Sequence, residues 1–300
     1  TRLTDHVSGY VTAGGAFRAW PAVSGSATRA APDVAIRGPR NGAATTVRLP
    51  HGISGRLYYS VGAKLDLRLV RDGTGRTGLV QPAPWVAGDA SASTLFDWVE
   101  FTYQRGLWVN STQVDQFGLP AALTLRGAKG TRSTGRLVSD GRQRVARALL
   151  ADPALRGSVI TDRSGRLIRV LAPGHAAREG RASAEYLNRA IDRAWARYAT
   201  RTLTVRPFAD RPSRTYHGRT VGSTLVFRSK AGAVVAKCAK PSTLDVFECA
   251  GTLAAPNDRV VGPIARTLCA ALNRGTLAGH ATQPVTATGS FYRTGPFNAY

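Results

Sequence analysis

Three hundred residues, 43% of them hydrophobic and 20% charged, are enough to bury a core in one large domain or two smaller ones, which excludes global disorder. No apolar run approaches the roughly 18 residues that a membrane-spanning helix needs, so no such helix is expected. A net charge of +23 and a pI near 11.3 would ordinarily suggest nucleic acid or an anionic surface, yet only five of the 41 basic residues are Lys and the Arg residues are spread along the chain.

No basic helix, zinc-finger spacing or aromatic-basic sheet motif accompanies the charge. It reads as compositional bias, with electrostatic adhesion to anionic cell walls as the milder functional reading, and no nucleic-acid or membrane partner is expected. A chain that begins at Thr1 and contains no Met reads as a mature, secreted form from which a leader has been removed.

In chain order, Thr1 to about Pro32 is rich in Gly, Ala and Ser, with short strand-like pieces around Val11 and from Phe17 to Trp20. From Val34 to Pro120 the pattern is of consecutive strands broken by Gly, Pro and Asn-Gly, which suggests an all-β barrel or sandwich. Arg56 to Arg71 shows it best: Leu57, Tyr59, Val61 and Ala63 alternate with Tyr58, Ser60 and Gly62.

Phe96 to Pro120 carries the chemistry. Alternation puts Asp97, Val99, Phe101 and Tyr103 on one face, and Phe96, Trp98, Glu100, Thr102 and Gln104 on the other. A two-residue loop would pair Gln104 with Leu107. A three-residue loop with a left-handed Gly106 would pair Tyr103 with Leu107, and this register is preferred because it gathers Glu100, Thr102, Trp108, Asn110 and Thr112 on one face. Asp115 has the opposite parity and must lie past the strand end or at a bulge. Two acids beside an aromatic ring suit hydrolysis of a sugar bond: one acid protonates the leaving oxygen, the other handles water, and the ring offers a pyranose a flat apolar face. The plain alternative is an ordinary hairpin with a solvent-facing Glu and a cap-like Asp. Asp97 reads as a buried, hydrogen-bonding acid.

Asp140 to Leu150 reads as a helix capped by Ser139, followed by strands at Gly157 to Thr161 and Leu167 to Leu171. Ser183 is expected to cap a helix reaching about Tyr198, with Leu187, Ile191, Trp195 and Tyr198 as its apolar stripe. Strands are expected at Leu203 to Arg206, Thr220 to Phe227, Gly232 to Lys237 and Leu244 to Cys249. A helix over about Asn257 to Leu272 follows, with Gly275 beyond its end, and Phe291 to Tyr300 resembles part of a strand. The domains are therefore read as a β domain over 1–135 carrying the hairpin, an inserted α/β domain over 136–202, and a return to the β domain with one helix over 203–300.

Of the three cysteines, Cys238 and Cys249 flank a segment that could double back into a disulfide, leaving Cys269 as a buried thiol; Cys249 with Cys269 is the competing pair. The five histidines show no partner at helical spacing, and no Cys/His pattern suggests a metal, so neither metal nor cofactor is expected. No GxSxG, Walker or GxGxxG motif occurs. Asp245 and Glu248 read as structural acids.

The hairpin resembles the signature region of the glycoside hydrolase family 64 β-1,3-glucanases. So do LPHGISGRLYYSVGAKL (Leu49 to Leu65), GLVQPAPW (Gly78 to Trp85), RVLAPGH (Arg169 to His175), CAKPSTLDVFECAG (Cys238 to Gly251) and CAALNRGTL (Cys269 to Leu277), in the expected order. The resemblance implies a mainly β, α+β protein: a thaumatin-like β-barrel or sandwich domain plus a smaller mixed α/β domain, with a wide groove between them. It implies a secreted bacterial enzyme, acting as a monomer, that cuts β-1,3-glucan with inversion and without a cofactor. Glu100 matches the family's general acid, of raised pKa, and Asp115 its ionised general base. Thr102, Trp108 and Thr112 match sugar-contacting positions, and Gln104 stands where a shorter Asn is expected. The rival readings are a glucan- or wall-binding protein without turnover and a basic adhesive protein in which the acids are incidental.

Overall fold

The computed structural model describes residues 1–111, 113–293 and 295–297. They form two compact units, one of Thr1–Ala151 with Val159–Ala172 and one of Asp152–Ser158 with Pro173–Tyr300.

The first unit is mainly β. Its central sheet places the nine-residue strand Leu95–Tyr103 between Ile53–Val61 and Leu107–Asn110, all antiparallel. Aromatic and β-branched residues fill the middle strand, as a pleated, packed surface favours. Phe96, Trp98, Val99 and Phe101 are buried there, each worth about 1.5–3 kcal/mol as fully buried side chains. A second three-stranded sheet joins Arg29–Ala30, Arg68–Arg71 and Thr77–Val80 over a small core of Trp20, Val23 and Leu69. A third joins Val159–Thr161, Leu167–Leu171 and Gln116–Phe117.

Tyr103 pairs with Leu107, Thr102 with Trp108 and Glu100 with Asn110, so the three-residue loop holds. The expected left-handed Gly106 does not: its φ lies outside that region, and the Gln104 N–H closes the loop on the Gly106 carbonyl at 3.3 Å.

The segment after the hairpin is fastened to the central strand by Asp97, which is 1% exposed, so the expectation of a buried acid holds. One of its carboxylate oxygens accepts from the backbone N–H groups of Gly118 (2.8 Å) and Leu119 (3.1 Å) and from Gln113 Nε2 (2.9 Å). The other accepts from the Trp98 N–H at 3.0 Å. Burial pushes the Asp97 carboxyl up, and these donors pull the other way. Gln116 Nε2 donates to the Phe96 carbonyl at 2.8 Å, and Gly118 packs so closely that a Cβ there would meet that same carbonyl oxygen at 2.4 Å. Two cations lie in the same interior. Arg142, from the helix Gly141–Ala151, donates to the carbonyls of Gly118 and Leu167. Arg169 is fully buried over the Phe96 ring and donates to the Thr94 carbonyl, and burial pulls its guanidinium down to about 10.

The second unit packs a five-stranded sheet against helices. The strands run Val234–Ala239, Thr224–Ser229, Tyr216–Val221, Leu203–Val205 and Thr282–Gln283 across the sheet, with only the last pair parallel. The helix Asn188–Thr200 buries Ile191, Ala194, Trp195 and Tyr198, with Leu187 at its entry, as its stripe requires. The helix Val261–Asn273 adds Ile264, Leu268 and Leu272 to the same core.

Several boundaries differ from expectation. Ser183 does not cap the helix: its hydroxyl accepts from the Glu185 N–H in a preceding turn, and the helix starts at Asn188 without a side-chain cap. The strand expected over Thr220 to Phe227 is two strands meeting at the two-residue turn Gly222-Ser223. Leu244 to Cys249 is not a strand. Thr243–Glu248 is a helix, opened by a capping box in which Ser242 accepts from the Asp245 N–H and Asp245 from the Ser242 N–H. Asp245 and Glu248 are structural, the latter paired with Arg178. Residues Phe291 to Phe297 show no strand among the described positions, and the rest of that expected strand lies outside them.

The disulfide joins Cys249 to Cys269, not Cys238 to Cys249. The helix Thr243–Glu248 carries Cys249 away from the sheet, against the helix that holds Cys269. Cys238 remains a buried free thiol on the inner face of the sheet, pushed up to about 11 by burial.

Replacing Asp97 with Ala leaves three backbone donors without their acceptor. We expect a loss of about 3 kcal/mol in chemical denaturation, against a smaller loss for Asp97→Asn, which keeps one acceptor oxygen. Reduction of Cys249–Cys269, which closes a separation of 20 residues, should lower stability by about 3 kcal/mol, read as an earlier denaturation midpoint with reductant present.

Candidate active site

The face opposite Asp97 gathers the chemistry. Antiparallel pairing sets Ser54, Arg56 and Tyr58 across from Thr102, Glu100 and Trp98, while Asn110 and Trp108 flank Glu100 and Thr102 from the other side. Period-two alternation puts all of these on one surface.

Arg56 is the hub. Its Nε donates to Glu100 Oε1 at 2.9 Å, and its Nη2 lies 2.9 Å from the same oxygen. That Nη2 is also 3.9 Å from Asp115 Oδ2, so the Glu100 and Asp115 oxygens are no farther apart than the two contacts laid end to end. Nη1 donates to Gln81 Oε1 at 2.5 Å, and the guanidinium carbon sits 4.8 Å over the Trp98 ring. Tyr58 Oη donates to the same Gln81 oxygen at 3.3 Å. Burial pushes the Tyr58 phenol up; Arg56 pulls it down, and the Asp115 and Glu100 carboxylates add to the rise.

Asp115 immediately precedes Gln116–Phe117, off the hairpin strand as its parity requires. Its backbone carbonyl accepts from the Ala172 N–H at 3.0 Å, and the pairing of Gln116 with Leu171 and Phe117 with Val170 holds the segment. Together with the Asp97 contacts, this brings Asp115 to the Glu100 face from the segment just before a separate strand.

Glu100 and Asp115 are thus brought together, each partly exposed. Thr102 lies beside them, its hydroxyl 2.8 Å from that of Ser54. Trp108 presents its ring to solvent, 59% exposed, with no core role. Gln104 is in the exposed loop beyond the strand end, apart from the carboxylates. Thr112 lies outside the described residues. Among the described residues, no three His, Cys, Asp or Glu side chains are placed to hold a metal ion.

Sequence reasoning missed Arg56, Gln81 and Tyr58. The available signal was the matching length of two nine-residue strands, Ile53–Val61 and Leu95–Tyr103, which places an Arg opposite Glu100 once they are paired end to end.

Comparison with known proteins identifies the family. The glycoside hydrolase family 64 model, described as beta-1,3-glucanase, matches residues 2–300. A glucan endo-1,3-beta-glucosidase of Cellulosimicrobium cellulans is 40% identical over 298 residues, covering 99% of this chain and 53% of that protein. One from Arthrobacter sp. (strain YCWD3) is 39% identical over the same length. The chain thus spans about half the length of these curated relatives. Among solved structures, a laminaripentaose-producing beta-1,3-glucanase in complex with laminaritetraose superposes with a TM-score of 0.92 at 40% identity, covering 100% of this chain and 81% of that one. From end to end, then, this chain belongs to glycoside hydrolase family 64, the beta-1,3-glucanase family.

Proposed function

We propose that the protein is a secreted endo-acting hydrolase of β-1,3-glucan, using Glu100 as general acid and Asp115 as general base. The observation that carries this is the pair of carboxylates held by one guanidinium beside an exposed Trp, in a chain that matches the family from residue 2 to 300. Glu100 gives its proton to the glycosidic oxygen. Asp115 draws a proton from a water that attacks the anomeric carbon from the opposite ring face, and the configuration inverts. The upper bound on the carboxylate gap set through Arg56 admits the lower end of the about 6.5–9.5 Å spacing of inverting enzymes and also the shorter retaining spacing of about 5–5.5 Å. The released anomer therefore tests the stereochemistry directly.

Trp108 offers its ring as a platform for a pyranose, with Thr102, Gln104 and Thr112 as polar contacts to the sugar. The relative solved with laminaritetraose supports a linear β-1,3-linked chain as substrate. The thaumatin-like character of the β domain, the monomeric state and secretion belong to this proposal on the family resemblance. A neutral glucan gains little from the net charge of +23, so turnover should respond weakly to salt, unlike adhesion to an anionic wall.

Wild type should release reducing ends from linear β-1,3-glucan with the α-anomer appearing first by proton NMR; first appearance of the β-anomer would overturn inversion. Glu100→Gln and Asp115→Asn should each lose about 10²–10⁴-fold in kcat while still sedimenting with insoluble glucan. Binding without any turnover by wild type would instead make the protein a glucan-binding module. Trp108→Ala should unfold within about 0.5 kcal/mol of wild type and bind glucan up to about tenfold more weakly.

A further inference from the structure

We propose that Arg56 is the positioning residue of this site, fixing which oxygen of Glu100 carries the proton and holding Asp115 in register with it. The inference deepens the function proposed above and rests on it.

Arg56 is gripped on every side. Its strand pairs it directly with Glu100, its planar face rests on the buried Trp98, and Nη1 is tied to Gln81. The remaining Nε–Nη2 edge faces the carboxylates. Both contacts to Glu100 fall on Oε1, at 2.9 Å each, so Oε2 is the oxygen left to carry a transferable proton. The same Nη2 reaches Asp115 Oδ2 at 3.9 Å, so an atom from a third segment spaces the two acids. When both acids are ionised they repel, and the cation offsets that repulsion. When Glu100 is protonated, the guanidinium still donates to Oε1 as the carbonyl oxygen, which leaves the hydroxyl on Oε2. A planar fork held over an aromatic ring provides both direction and charge; a Lys at this position supplies charge alone. Arg56 acts through Glu100 and Asp115 and touches no reacting atom.

The test compares Arg56→Met, Arg56→Lys and Gln81→Ala with wild type and Glu100→Gln on linear β-1,3-glucan, with thermal unfolding of each. Arg56→Met should lose about 10²-fold in kcat, the loss that slight misplacement of a reacting group brings, with KM changed by less than about threefold. Arg56→Lys should recover only part of that loss. Free guanidinium at non-denaturing concentration should raise kcat of Arg56→Met and leave Glu100→Gln inactive. Gln81 is exposed, so Gln81→Ala should fold normally and still lower kcat, by about tenfold, because it frees Nη1. If Arg56→Met does not fold, the Gln81→Ala result decides. Wild-type kcat in both Arg56→Met and Gln81→Ala would overturn the proposal, as would losses that follow lowered stability and ignore guanidinium. If wild type releases no sugar, the proposed function itself fails, which is a separate outcome.

Discussion

The buried carboxylate of Asp97 is the constraint on which the face bearing Glu100 and Asp115 depends. A hairpin alone could carry Glu100, Thr102 and Trp108, but not Asp115, whose parity sends it elsewhere. Asp97 solves this from the opposite face of the same strand. By accepting from Gly118, Leu119 and Gln113, it pulls the following segment against the strand that bears Glu100. Burying an acid is costly, and several good hydrogen bonds offset the cost only when all are made. The arrangement therefore leaves the segment little room to drift, and Asp115 inherits that fixity.

The two faces of the central strand divide their labour. Asp97, Val99 and Phe101 face the interior, where Arg142 supplies positive charge and a donor to the Gly118 carbonyl, while Arg169 covers the Phe96 ring and donates to the Thr94 carbonyl. The other face begins as core at Phe96 and Trp98 and becomes polar at Glu100 and Thr102. Arg56 stands at that boundary, half-buried, with an aromatic ring beneath it and carboxylates before it. A guanidinium is well suited to such a position, because it is weakly hydrated on its faces and strongly directional at its edges.

Much of this was legible in the sequence. Parity along each strand, joined to the choice of a three-residue loop, placed Glu100, Thr102, Trp108 and Asn110 together and expelled Asp115; side-chain direction is a local property of a strand, and the register came from the loop. Arg56 was not legible in that way, since its partner lies 44 residues away and only strand pairing brings them together. Leu244 to Cys249 shows the opposite failure. Six residues, Leu-Asp-Val-Phe-Glu-Cys, are too short a run for periodicity to separate strand from helix, and the deciding signal was the Ser242–Asp245 capping box. That misreading carried the disulfide with it, because a helix and a strand aim Cys249 at different neighbours.

The remaining thiol, Cys238, has a bearing on how the chain reaches this state. In the folded sheet it is protonated at neutral pH and out of reach, so it neither exchanges with Cys249–Cys269 nor joins two molecules. Before the sheet closes it has no such protection, and three cysteines can pair in three ways. Only one of those pairings is native. While Cys238 is exposed its thiolate can exchange with either partner, and closure of the sheet over it removes the one free thiol among the three, which locks the Cys249–Cys269 pairing in place.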